Sequence, residues 1–226
     1  MSSVTENFRT VRRDIDAAAA AAGRSGAEIL LLAVSKTWPS SDIRALYDIG
    51  VRDFGENRMQ ELERKVAELP EDIVWHYIGS LQSNKIRKAV KLASVIHSVE
   101  NISAVGRLDR IAGEEGRRVK FLLEVNVSGE ESKSGVSQKD FMPLARAAAQ
   151  CRNAVFSGLM TMAPLDAPPA VLDAVFGGLA ALKAQAETEL NVTLPLLSMG
   201  MSGDYKAAVI HGSTIVRIGT AIFGKR

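Results

Sequence analysis

A (β/α)8 barrel carrying one added N-terminal helix is the fold this sequence predicts, on three observations. Eight short β-rich runs are each separated from the next by a stretch with helical spacing of apolar residues, and strands that alternate with helices pair in parallel through right-handed crossovers. Runs such as "ILLLAV" (29–34) are apolar without alternation, as a strand covered on both faces requires. No Pro/Gly/Ser-rich linker divides the 226 residues, so 1–226 reads as a single domain with one core. A doubly wound open sheet is the competing arrangement. No G-x-G-x-x-G follows the first strand, which counts against its dinucleotide-binding form.

The elements follow in order. Val4, Phe8, Val11 and Ile15 repeat at helical spacing, and Gly23 stands where a C-cap belongs, which makes the added helix. "ILLLAVS" (29–35) precedes a helix with Ser40 or Ser41 as N-cap and Ile43 and Leu46 on its apolar face. "VRDFGEN" (51–57) leads to a helix carrying Leu62, Val66 and Leu69, and "IVWHYIG" (73–79) to a basic helix. "SVIHSV" (94–99) leads to a helix with Val105, Leu108 and Ala112. "VKFLLEVNV" (119–127) runs through a polar loop to a helix starting near Ser137, where Asp140 completes a capping-box pattern. "VFSGLMTM" (155–162) passes Pro168 and Pro169 into a long helix with Val175 and Leu179, and "LPLLSMG" (194–200) and "TIVRIGTAIFG" (214–224) supply the last strands.

Composition excludes several classes of function. Hydrophobic residues at 46% and charged residues at 24% are those of a globular chain and unlike a disordered one. A net charge of +2 gives no electrostatic reason to bind nucleic acid or membrane, and the basic cluster Lys85, Arg87, Lys88 and Lys91 reads as a solvated helix face. A single cysteine, Cys151, excludes an intramolecular disulfide, and with no apolar signal segment or spanning run the expected compartment is the cytoplasm. His76, His97 and His211 lie far apart without Cys or acid at ligand spacing, so no metal site is expected.

Barrel strands deliver functional side chains at their C-terminal ends. Those ends carry Lys36 on the first strand, Asn57 just past the second, His76 with Gly79 and Ser80 on the third, and "SMGMSGD" and "RIGT" on the seventh and eighth. Ser202, Gly203 and Asp204 have the look of an N-cap and first helical turn, whose free N–H groups and hydroxyl suit a phosphate. Gly219 and Thr220 make a second small-plus-hydroxyl turn where barrels often bind phosphate. Lys36 closes a strand that burial would make costly for an ammonium, and burial favours the neutral, nucleophilic amine. A lysine beside a phosphate site fits either a pyridoxal phosphate (PLP) site or a Schiff-base aldolase acting on a sugar phosphate.

The motifs "AVSKTWP", "FGENRMQE", "WHYIGSLQSNK", "EVNVSGEESKSGV", "GLMTMAP", "LSMGMSGDYKAAV" and "GSTIVRIGTAIFG" stand in that order from residue 33 to residue 224. In this they resemble the pyridoxal phosphate homeostasis protein family. The resemblance implies a PLP-binding barrel similar to the N-terminal domain of alanine racemase, without the racemase's second domain. It implies Lys36 as the internal-aldimine lysine, Ser202, Gly219 and Thr220 at the phosphate, Arg217 against the pyridine nitrogen, and Asn57 and His76 near the ring.

PLP is the best electron sink when its ring nitrogen is protonated, and a cationic Arg217 there disfavours that proton, so strong carbanion stabilisation is not expected. Tyr47, Tyr77 and Tyr205 stand in no motif that makes one of them a racemase's second acid/base and are expected to pack or hold structure. The reading is therefore a monomeric PLP carrier or reservoir that serves PLP-dependent apoenzymes without significant turnover. A weak PLP-dependent racemase or lyase is the alternative, and a cofactor-free Schiff-base aldolase is a third. The loop 128–135 reads as a surface loop or as a lid with Lys133 as a second, transient amine.

Overall fold

In the computed structural model, which describes residues 3–130 and 133–225, the eight expected strands close into a barrel. They are β1 (Leu30–Val34), β2 (Asp53–Glu56), β3 (Val74–Tyr77), β4 (Val95–Val99), β5 (Lys120–Asn126), β6 (Val155–Met160), β7 (Leu196–Ser198) and β8 (Ile215–Ile218). Neighbours pair in parallel throughout, and the ring closes at Leu30–Ala33 against Ile215–Ile218 on one side and Val95–Ile96 against Lys120–Phe121 on the other. The open-sheet alternative is thereby set aside. A two-residue strand, Val136–Ser137, folds back onto the end of β5 within what the sequence presents as a polar loop.

The helices are α1 (Val4–Ala21), α2 (Ser40–Asp48), α3 (Met59–Glu68), α4 (Ile86–Leu92), α5 (Ile102–Glu114), α6 (Phe141–Ala149), α7 (Pro169–Leu190), α8 (Tyr205–Ile210) and α9 (Thr220–Phe223). Ser3 caps α1 by accepting from the Glu6 N–H. Gly23, at φ +69°, ends it with Arg24 N–H donating to the Ala19 carbonyl, the Schellman closure that glycine permits. Neither Ser40 nor Ser41 caps α2. The helix starts at Ser40 itself after Pro39, and the Ser40 hydroxyl turns to Glu68. Ser137 does cap, but it caps a 3-10 turn (Gln138–Asp140) that precedes α6.

α1 lies across α8 and α9. Asn7 Nδ2 donates to the Ile222 carbonyl, Arg24 Nη1 to the Val209 carbonyl, and Tyr205 Oη to Asp14. The added helix thus braces the two elements that follow β7 and β8. Arg87 pairs with Glu114 and Glu115, Lys88 with Glu63 and Lys91 with Glu115, so the basic face of α4 is an ion-paired surface. No helix among the described residues is long and apolar enough to cross a membrane.

Most of the core fills the shell between strands and helices. A smaller apolar cluster, Val95, Leu122 and Met160 with Leu196, sits apart from it on the strands' other face, inside the barrel. Alternation then puts His97, Glu124 and Ser198, two positions further along their strands, in the same interior.

Candidate functional site

Because all strands run in one direction, Lys36, Asn57, Gly79, Ser202, Gly219 and Thr220 share one rim. The Lys36–Thr37 turn follows β1 directly. Its side chain is exposed, so the burial expected of Lys36 is not observed. Thr37 is left-handed at φ +69°, an uncommon state for a β-branched residue that needs support from its surroundings. α3 supplies it: Glu61 Oε2 accepts the Thr37 N–H at 2.6 Å, and Lys65 Nζ donates to the Ser35 carbonyl at 2.8 Å. The two peptide neighbours of Lys36 are therefore both held.

The buried ammonium of this protein is Lys65, fully inaccessible and 2.6 Å from Glu56 Oε1, which also accepts the Ser35 hydroxyl at 2.6 Å. Burial pushes the Glu56 carboxyl upward, against the pull of Lys65 and Ser35. Neither acid nor base was singled out from sequence. A signal existed, since Lys65 shares the inward stripe of α3 with Leu62 and Leu69 at helical spacing.

The remaining rim residues come together around this turn. A Cβ on Gly79 would stand 2.0 Å from the Asn57 carbonyl oxygen, so only glycine lets the ends of β2 and β3 approach this closely. Asn57 Oδ1 is buried without a hydrogen-bond partner. Ala221 N–H donates to Ser202 Oγ at 3.3 Å, which joins the loop after β7 to the Gly219–Thr220 turn. That turn lies beside Val34 at the end of β1, and Trp38 stacks on Phe223 of α9 at 5.8 Å. One expectation is corrected here. Ser202–Asp204 form a turn ahead of a six-residue helix that begins at Tyr205, and Asp204 accepts the Met201 N–H in place of capping, so a phosphate at Ser202 would rest on hydroxyl and loop amides.

Arg217 projects into the barrel and is 5% exposed. Nη1 donates to Ser198 Oγ at 2.7 Å and Nη2 to the Thr161 carbonyl at 2.9 Å. Burial lowers its pKa to about 10, opposed by the charges of Glu124 and Asp204, and the guanidinium stays cationic at neutral pH. His76 does not point a free nitrogen at the rim: Nδ1 lies 2.9 Å from His97 Nε2, and Nε2 lies 3.0 Å from Asp53 Oδ1. Tyr47 bonds Asp72, Tyr77 the Ser80 carbonyl and Tyr205 Asp14, so each tyrosine hydroxyl has a structural partner. Lys133 Nζ donates to the Met162 carbonyl at 3.3 Å; Glu131 and Ser132 of its loop lie outside the described residues. Burial pushes the Cys151 thiol up to about 12, with Asp109 adding to it, which disfavours the reactive thiolate. Among the described residues no His, Cys, Asp and Glu group could hold a metal.

Glu124 is a further titratable group that sequence reasoning passed over. It is 4% exposed, and burial first, then Glu100, raises it to about 7 against the pull of Arg217. A carboxyl raised in the folded state contributes stability at low pH that is lost as pH rises. We therefore expect Glu124→Gln to leave unfolding stability near wild type below pH 4.5 and to exceed it increasingly between pH 4.5 and 7, reaching about 3 kcal/mol above that window. Denaturant titrations of both proteins at pH 5 and pH 8 check this, and equal stability differences at the two pH values would refute it.

Residues 6–226 match the family model described as alanine racemase, N-terminal domain. The chain is 43% identical to the pyridoxal phosphate homeostasis protein of Pseudomonas aeruginosa, covering 100% of this chain and 97% of that one. It is 40% identical to the protein of the same name from Escherichia coli, at 100% and 98%. This chain belongs to the pyridoxal phosphate homeostasis protein family. Among solved structures, PipY of Synechococcus elongatus without PLP superposes with a TM-score of 0.90 at 38% identity, covering 98% of this chain and 100% of that one. PipY with PLP bound gives 0.87 at 37% over the same shares. Alanine racemase of Corynebacterium glutamicum gives 0.72 at 15% identity, covering 96% of this chain and 61% of that one, a likeness of fold alone. The racemase-like barrel expected of the family is thus the one observed.

Proposed function

We propose that this chain binds pyridoxal 5'-phosphate with Lys36 as its covalent Schiff-base anchor and serves intracellular PLP homeostasis as a carrier or reservoir without significant turnover. The observation that carries this reading is the PLP-bound PipY structure, whose fold and length this chain shares. The residues present fit the group. Lys36 offers an amine with no hydrogen bond or ion pair among the described residues, on a turn fixed from both sides. Ser202 with Gly219 and Thr220 supplies a hydroxyl-lined turn for the phosphate. Asn57 brings a buried oxygen still lacking a donor, and Arg217 a fixed cation for the ring nitrogen. His76 enters this set through its bond to His97.

PLP, when bound, supplies an aldehyde carbon and an electron-withdrawing ring. Around it Arg217 keeps a positive charge where ring protonation would require an acid, which favours holding over turnover. PLP-dependent apoenzymes are the receivers in this reading, and the protein acts as a cytoplasmic monomer.

Added PLP is expected to give a visible absorbance band at one cofactor per chain, and borohydride reduction followed by peptide mapping to place the label on Lys36. Amino acids offered in deuterated water are expected to keep their Cα protons. Cα exchange over many turnovers would establish the racemase or lyase alternative instead.

A further inference from the structure

We propose that Asp53, at the opposite end of the barrel from the cofactor rim, is a positioning residue for Arg217, acting through a one-way hydrogen-bond chain of Ser198, His97 and His76. The inference rests on the PLP reading for its consequence but not for its geometry. From β8 to β2 the contacts are Arg217 Nη1 to Ser198 Oγ at 2.7 Å, Ser198 Oγ to His97 Nδ1 at 3.0 Å, His97 Nε2 to His76 Nδ1 at 2.9 Å, and His76 Nε2 to Asp53 Oδ1 at 3.0 Å.

With both imidazoles neutral, the carboxylate end dictates the direction of every link. Asp53 only accepts, so His76 carries its one proton on Nε2 and leaves Nδ1 bare. His97 then donates to it from Nε2, which leaves His97 Nδ1 to accept the Ser198 hydroxyl proton. A guanidinium only donates, and Ser198 Oγ keeps a lone pair for Arg217 Nη1. Burial, followed by His76 and Arg217, holds His97 well below its ordinary range.

Location gives the chain its purpose. Ser198 and His97 are fully buried and His76 is 2% exposed, so none of the three can exchange a lost partner for water. Asp53 is the first residue of β2, on the barrel floor, where it lines a surface cavity with Leu30, Arg52 and Thr214. The Thr161 carbonyl holds one arm of Arg217 and the chain holds the other. Removing Asp53 leaves the His76 Nε2–H buried and unpaired. Either histidine can then adopt the other tautomer, and the Ser198 hydroxyl loses the acceptor that orients it beneath the guanidinium.

The test uses the full chain with ¹⁵N-labelled histidine and arginine, in which His211→Asn assigns the third ring, together with the variants Asp53→Ala, Asp53→Asn and Ser198→Ala. Without PLP, long-range ¹⁵N correlation spectra are expected to show His76 and His97 as Nε2–H tautomers in wild type and Asp53→Asn, whose amide oxygen replaces the carboxylate acceptor. Asp53→Ala is expected to give mixed tautomers and a displaced Arg217 Nε–H resonance. With PLP, Asp53→Ala is expected to bind about tenfold more weakly with a shifted visible band, and Asp53→Asn to stay within about twofold of wild type. An Nδ1–H tautomer or an imidazolium at either histidine in wild type overturns the chain. So does an Asp53→Ala protein whose Arg217 resonance, PLP affinity and band are unchanged. Should wild type take up no PLP, the proposed function falls, and the tautomers and the Arg217 resonance alone decide this inference. Should Asp53→Ala fail to fold, Ser198→Ala carries the same expectation of mixed His97 tautomers and weakened PLP binding, and wild-type behaviour in that variant overturns it.

Discussion

Lys36→Ala is expected to abolish the visible band that wild type gains with PLP and to lower apparent PLP affinity at least about a hundredfold, the equivalent of roughly 3 kcal/mol or more. The turn around residue 36 is held by backbone contacts, from Thr37 N–H to Glu61 and from the Ser35 carbonyl to Lys65, and none of these uses the Lys36 side chain. The variant should therefore fold as wild type does and keep the hydroxyl turn at Ser202 and Thr220, leaving residual, non-covalent PLP binding. Each hydrogen bond to a charged group is worth about 1.5–3 kcal/mol, so that residue of affinity is measurable by equilibrium dialysis. Borohydride-trapped label is expected to vanish from the variant. Label reappearing at full stoichiometry on another lysine, Lys133 included, would move the anchor and break the assignment of Lys36. Wild-type absorbance in the variant would do the same.

The barrel was readable because eight β-rich runs are each separated from the next by a helix-period stretch, and the first of them is apolar along its whole length, as a strand covered on both faces allows. The rim was readable for a related reason: in a parallel barrel, a residue just past a strand is at the mouth whatever its neighbours are. What escaped is whatever depends on side-chain direction or on distant pairing. Lys36 follows an apolar strand, which invited the inference of burial, yet one turn carries it into the open. The lysine that is buried lies on α3, where Leu62 and Leu69 marked its stripe as inward. Ser198 and His97 are 101 residues apart and meet only because β4 and β7 face each other across the interior, so no local pattern links them. His76 and His97 lie on adjacent strands, and their shared interior face was within reach of strand alternation.

Lys65→Met is expected to lower unfolding stability by about 3–5 kcal/mol at neutral pH, because it strips the counter-ion from a carboxyl that has no access to water. Glu56 is 0% exposed, and its Oε2 already lacks a partner, so after the change only the Ser35 hydroxyl is left to it. The carboxyl, already pushed upward by burial, rises further when Lys65 no longer pulls it down. A raised carboxyl gives stability at low pH that is lost as pH rises, so the deficit of Lys65→Met should be smaller at pH 5 than at pH 8. The double variant Lys65→Met/Glu56→Gln should recover at least half of the loss, since a neutral amide can keep the Ser35 contact without a buried charge. Equal losses in the single and double variants, or a deficit that does not change with pH, would show that the pair does not act as argued. The recovered protein also separates stability from function. Lys65 is the donor that holds the Ser35 carbonyl, one of the two peptide contacts flanking Lys36, so the double variant is expected to fold yet take up PLP more slowly than wild type. Stopped-flow growth of the visible band in folded samples measures that difference, and an unchanged rate would leave Lys65 with a role in folding alone.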